Sequence, residues 1–178
     1  MLSKLIEVKS KEVAERAPDV PDLPDTGETP AVAQFEGRGL QPLKGKLPLP
    51  IAGDLLGTFG RHHHEEFSDI VFSKGLEFGA EEDEKVRAVA NGRVILNQPL
   101  PGYGNVVIVD HGRRYYSLYG RLKQMLVEVG DVIDQKDTIG VVGEPGKGGR
   151  NFYFELRVRG KAINPVAYFR TRLSVKKG

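Results

Sequence analysis

The chain has 178 residues, 39% of them hydrophobic and 28% charged, with no cysteine and a formal net charge of +2. That is the make-up of one globular domain with appendages, and the lack of cysteine excludes disulfides and thiolate metal sites while leaving the compartment open. Basic and acidic residues are interleaved, which argues against nucleic acid, and no apolar run reaches the roughly 18 residues of a membrane span.

Residues 1–16 read as a helix. Leu2, Leu5, Ile6 and Val13 form an apolar stripe, and Glu7 stands four before Lys11, a favourable helical pair. So short a helix is marginal alone. It fits either a frayed terminus or the end of a coiled coil that continues upstream. Lys4, Glu7, Lys9, Lys11, Glu12 and Glu15 exclude a signal peptide here. Residues 17–39 read as a linker. Pro18, Pro21, Pro24 and Pro30 interrupt any helix, and Asp19, Asp22, Asp25, Glu28 and Glu36 repel one another with no base before Arg38. Such a segment is a tether, or it lies across a basic groove and inhibits it.

Residues 40–170 change to short strands, and 171–178 form a basic, solvated tail. Val86 to Ala90 ends at Asn91-Gly92, a turn signal, before a second strand from Arg93 to Leu96. Val106 to Val109 is apolar throughout, as in a strand covered on both faces. Tyr115–Tyr119, Val127–Val129, Thr138–Val142 and Asn151–Arg157 complete the set. Strands at this spacing, parted by glycine-containing turns, predict a mainly β, antiparallel sheet or sandwich. Alternation puts Asn151, Tyr153 and Glu155 on one face of the last strand and Phe152, Phe154 and Leu156 in the core. The same rule groups Ser117, Tyr119 and Arg121.

In chain order, Phe59-Gly-Arg61, Lys74–Phe78, Val89–Val94, Gly102-Tyr-Gly-Asn105, Val109–Gly112, Leu118–Leu122, Gly130–Val132, Ile139-Gly140, Val142-Gly143 and Phe154-Glu155 resemble the LytM or lysostaphin-type zinc peptidases. Gly-Arg-Val-Ile-Leu, Ser-Leu-Tyr-Gly, Tyr-Phe-Glu-Leu-Arg and Ala162–Pro165 resemble the murein hydrolase activators within that family. The resemblance implies a zinc ion on three protein ligands with an open position for water. The family's His-x-x-x-Asp segment falls on Ser73 to Glu77. Its His-x-His pair falls on Asn151 and Tyr153, and a further catalytic histidine falls on Arg121. Serine, asparagine, tyrosine and arginine do not replace imidazole, so the expectation is a pseudo-peptidase without zinc or any other cofactor. The run His62, His63 and His64 is the one feature that could restore a metal, through His62 and His64 with Glu77 or with a neighbouring Glu65 or Glu66. Otherwise it is an exposed polar loop. His111, in an Asp-His-Gly turn, reads as structural. Gly102–Asn105 reads as a hairpin loop beside the groove, because no helix or third glycine follows to make a phosphate-binding turn.

The resemblance then implies a groove of Ser73, Glu77, Tyr103, Tyr119, Arg121, Asn151, Tyr153 and Glu155 that binds a partner. That partner would be an N-acetylmuramyl-L-alanine amidase, whose regulatory helix the groove takes up. Peptidoglycan is a further candidate ligand, an upstream coiled coil would tie the domain to a membrane complex, and the location would be periplasmic. On this reading Tyr153→Ala or Arg121→Glu removes function and leaves the fold. The rival readings are an active zinc endopeptidase with replacement ligands and a passive peptidoglycan-binding module.

Overall fold

A computed structural model describes residues 35–63, 70–142 and 151–175. The expected helix over 1–16, most of the linker, His64 and residues 176–178 lie outside the described residues. The strands, in chain order, are β1 (Leu55–Gly57), β2 (Gly60–His63), β3 (Ile70–Ser73), β4 (Leu76–Gly79), β5 (Lys85–Arg87), β6 (Gly92–Leu100), β7 (Gly104–Asp110), β8 (Tyr115–Met125), β9 (Val132–Ile133), β10 (Thr138–Val142), β11 (Asn151–Val158) and β12 (Lys161–Ile163). The main sheet runs β1-β4-β11-β8-β7-β6-β9, with β12 on β11 and with β10 bridging β5 and β8. All of these strand pairs are antiparallel, as the sequence predicts; β2 and β3 form a separate hairpin. Among the described residues no helix is long and apolar enough to cross a membrane.

The alternation of β11 explains the sheet's two sides. Phe152, Phe154 and Leu156 are fully buried in the main core, together with Leu76 and Phe78 of β4 and Val107 and Val109 of β7. That core is closed from the other side by Leu40, Leu47, Ile51, Val86, Val89, Ile139, Tyr168 and Phe169. Val106 and Ile108, the alternate residues of β7, join a smaller cluster on the opposite face with Leu100, Tyr103, Leu118 and Tyr153. The expected strand buried on both faces is therefore present.

Two sequence-based expectations need correction. The strand predicted over 86–90 ends at Arg87, and β5 pairs with β10 rather than forming a hairpin with β6. The backbone amides of Ala88 and Val89 are instead taken by Asp137 O and the Tyr119 hydroxyl, so no ladder can continue there. The predicted strand at 127–129 is a turn, held by Glu128 N donating to the Asp131 carboxylate at 2.8 Å; the strand starts later, at Val132.

The packed unit also reaches past 40–170 at both ends. Phe35 N donates to Asp110 Oδ2 at 3.3 Å and Gly39 N to His111 O at 3.1 Å, which binds the last linker residues to the turn after β7. Arg170 N donates to Leu47 O at 2.9 Å, Leu173 packs on the core and Val175 bridges Leu55. Val175 thus ties the described part of the expected tail, residues 171–175, to the domain, although Thr171, Arg172, Ser174 and Val175 stay exposed.

Candidate functional site

The outer face of β11 sits beside β4 and β8, with Tyr153 opposite Glu77 on one side and Gly120 on the other. Beyond Gly120, β8 parts from β11 and is taken up by β10, which pairs with Leu122 to Met125. The parting is made by a bulge. From Tyr119 to Leu122 on β8 the partner β7 runs only from Val107 to Asn105, and Arg121 adopts a left-handed φ of 59°. The extra residue reverses the alternation, so Tyr119 and Leu122 both face the main core while Arg121 faces outward.

Arg121 Nη2 donates to Glu77 Oε1 at 3.1 Å, and its guanidinium lies 5.7 Å from the centroid of the Tyr153 ring. The side chains of Arg121 and Glu77 remain 38% and 34% exposed, so this pair is the accessible part of the site. Beneath it lies a packed cluster. Tyr153 donates its hydroxyl proton to Glu155 Oε1 at 2.5 Å, the Tyr103 hydroxyl donates to the same oxygen at 3.2 Å, and Arg157 Nε donates to Glu155 Oε2 at 2.7 Å. The Tyr103 and Tyr153 rings meet at 5.3 Å. Burial, then the negative charge of Glu155, pushes both phenols far above their ordinary range, so both hydroxyls act as neutral donors.

Local backbone puts these groups in place. The Gly102–Gly104 loop folds onto the bulge, with Arg121 N donating to Tyr103 O at 2.7 Å, and this lays the Tyr103 ring against Tyr153. Gly75, in the turn before β4, must lack a side chain. A Cβ there would fall 2.4 Å from Phe154 O and 2.9 Å from Tyr153 Cζ.

The sequence-predicted groove is brought together only in part. Glu77, Arg121 and Tyr153 meet, with Tyr103 and Glu155 directly below. Asn151 is half-buried at the start of β11, opposite Gly79. Ser73 ends β3, and its hydroxyl donates to Gly75 O at 3.1 Å. Tyr119 is a correction. It is fully buried among Phe152 and Phe154, and its hydroxyl accepts from Val89 N at 3.0 Å, so it cannot touch a partner. Ser117 is buried with it. Sequence reasoning missed Arg157, which the same alternation places after Glu155 on the outer face. It also missed Leu56 and Phe72, 43% and 50% exposed. Leu56 lies over the space that a side chain on Gly79, the residue opposite Asn151, would take, and Phe72 stacks edge-on to Phe59 at 5.3 Å.

His111 is structural in the way its turn suggests. Asn91 O, an acceptor, lies 2.8 Å from Nδ1, so Nδ1 carries the proton and Nε2 accepts from Ser117 Oγ at 2.7 Å. Burial lowers its pKa to about 4, opposed in part by the bond to Asn91.

The zinc ion that the family resemblance implies does not fit these donors. A ligand set needs deprotonated or neutral lone pairs facing one point. Here Glu77 is paired to a permanent cation, the Tyr153 hydroxyl is turned to Glu155 with its proton held, and Ser73 faces its own turn. His62 is exposed, and its Nε2 lies 2.5 Å from Thr58 O. Among the described residues no group of three His, Cys, Asp or Glu is disposed to hold a metal.

Comparison with known proteins agrees with this architecture. The model of Peptidase family M23 matches residues 71–165, more than half of the chain. The murein hydrolase activator EnvC of Escherichia coli is 41% identical over 128 residues, which are 71% of this chain and 30% of that one. The murein hydrolase activator NlpD of the same organism is 30% identical over 124 residues, 69% of this chain and 31% of that one. The chain thus spans about a third of the length of these relatives. A zinc-containing peptidase from Vibrio cholerae superposes with a TM-score of 0.61 at 23% identity, over 71% of this chain and 39% of that one, a likeness of fold. By the match of its sheet-forming region, the chain belongs to peptidase family M23.

Proposed function

We propose that this domain hydrolyses nothing itself and instead activates a peptidoglycan amidase of the N-acetylmuramyl-L-alanine type by binding it through the outer face of β4, β8 and β11. The observation that carries the reading is the Arg121 guanidinium, bonded to Glu77 and stacked on Tyr153 where the family's zinc chemistry would lie. A fixed cation there opposes a metal, and arginine over tyrosine is a common binding hot spot. The exposed Leu56, on β1 next to β4, adds apolar surface near the ion pair. A helix with an apolar residue beside a carboxylate or a base would match it. Two relatives bear the name murein hydrolase activator, which supports the same reading.

Activation of this kind is a population shift. The domain binds the open amidase better than the closed one, and moving the equilibrium from 1:99 to 99:1 takes about 5.5 kcal/mol of differential affinity. Such work is done where peptidoglycan is, in the periplasm. The test is release of soluble fragments from labelled peptidoglycan by a purified amidase, with and without the domain. The expected result is a saturable rise in rate with the domain and no release by the domain alone. Release by the domain alone, or peptidoglycan binding with an unchanged amidase rate, contradicts the reading.

A further inference from the structure

Two charged clusters stand out in the fold. Glu81, Glu82, Asp83 and Glu84 lie between β4 and β5, near the start of β11. At the other end of β11, about 25 Å away at the usual strand rise, three turns converge. Arg159 N donates to Arg114 O at 2.9 Å, which ties the β11–β12 turn to the β7–β8 turn, and Gly39 packs against Arg113 and Tyr115. Between them is an open cleft of about 720 Å³ lined by the three arginines 38, 113 and 159, with Tyr115 and Gln41.

Three features mark this cleft as a site. Among the described residues no carboxylate bonds Arg38, Arg113 or Arg159. Asp110, close by, is buried, and its carboxylate accepts from the Phe35 and Gly112 amides; Glu36 is exposed beside it. Arg113 and Arg159 both take φ 51° and Arg114 takes 64°, a left-handed region that glycine or asparagine ordinarily fills. Arginine is held there against its backbone preference, which points to its side chain. Finally, the exposed Arg114 and Lys161 extend the positive surface outside the cleft.

We propose that the cleft takes the phosphodiester of an anionic phospholipid headgroup and seats the domain on a membrane by its arginine end. The guanidinium fork matches two phosphate oxygens. An open cleft with further cations around its rim suits an array of headgroups better than a single soluble ion. Tyr153 lies on β11 six residues before Arg159, which begins the turn after that strand, roughly 20 Å away, so the outer face would stay free for a partner. This inference is independent of amidase activation.

The test is sedimentation of the protein with phosphatidylglycerol–phosphatidylcholine vesicles and with phosphatidylcholine vesicles alone. Binding to the anionic vesicles only, weakened by salt, is expected. The triple variant Arg38→Gln, Arg113→Gln, Arg159→Gln should bind about a hundredfold less tightly, at about fivefold per charge, with an unchanged urea midpoint. Binding of the triple variant like wild type overturns the proposal. So does equal binding to neutral vesicles, displacement by millimolar inorganic phosphate, which would make the cleft a small-anion site, or tighter binding to a single-stranded oligonucleotide.

Discussion

The two faces of β11 carry alternate residues of one short strand and differ in almost every physical respect. The inner face, Phe152, Phe154 and Leu156, is wholly apolar and fully buried. The outer face, Tyr153, Glu155 and Arg157, is nearly as inaccessible, with Tyr153 9% and Arg157 5% exposed, yet it is held by three hydrogen bonds converging on one carboxylate. The inner face has no direction built into it beyond shape. The outer face is directional, and it supports from below a single exposed ion pair, Arg121 with Glu77. The comparison teaches that a polar residue on the outer face of this sheet is not thereby a contact residue. Most of the polar groups there serve as foundation.

The largest effect should come from the inner face. Phe154→Ala removes a ring that packs on Tyr119 and Phe169, and should cost about 3–5 kcal/mol, read as a lower urea midpoint at unchanged slope. Glu155→Ala tests whether the outer face is equally structural. It leaves Arg157 buried beside two phenols without its anion, and a loss of about 3 kcal/mol or more is expected. A variant as stable as wild type would reduce that cluster to decoration. Tyr153→Ala belongs with these: its ring and hydroxyl are both engaged, so it would disturb the fold as well as any binding.

A smaller, pH-dependent loss should arise at His111, behind the inner face. The unfolded chain takes up a proton below the ordinary value of 6.5, whereas the buried ring resists until about 4. Its contribution is therefore full above pH 6.5 and is lost as pH falls toward 4, by about 2–3 kcal/mol at pH 4.5. Urea midpoints at pH 7 and 4.5 should differ more in wild type than in His111→Asn by that amount.

Much of this was legible in the sequence. Alternation and glycine turns located β6, β7, β8, β10 and β11, and the inner and outer residues of β11 were sorted correctly. The meeting of Glu77, Arg121 and Tyr153 was implied by the family resemblance that the motifs carry. What could not be read was the bulge at Arg121. Strict period-two counting groups Tyr119 with Arg121, and one extra residue in a left-handed conformation reverses it. Nothing but the preceding Gly120 hints at that break. The burial of Glu155 was equally hidden, because it depends on Tyr103 arriving from a loop far away in the chain.

The smallest effect on stability should accompany the largest on function. Arg121 and Glu77 are over a third exposed, so their pair is worth under about 1 kcal/mol to the fold. The most direct measurement is amidase stimulation by Arg121→Glu and by the exchanged double variant Arg121→Glu, Glu77→Arg, each beside its urea midpoint. The single variant should lose at least tenfold in stimulation at a nearly unchanged midpoint, and the exchange should recover part of it. Full stimulation by Arg121→Glu would contradict the assignment of this face.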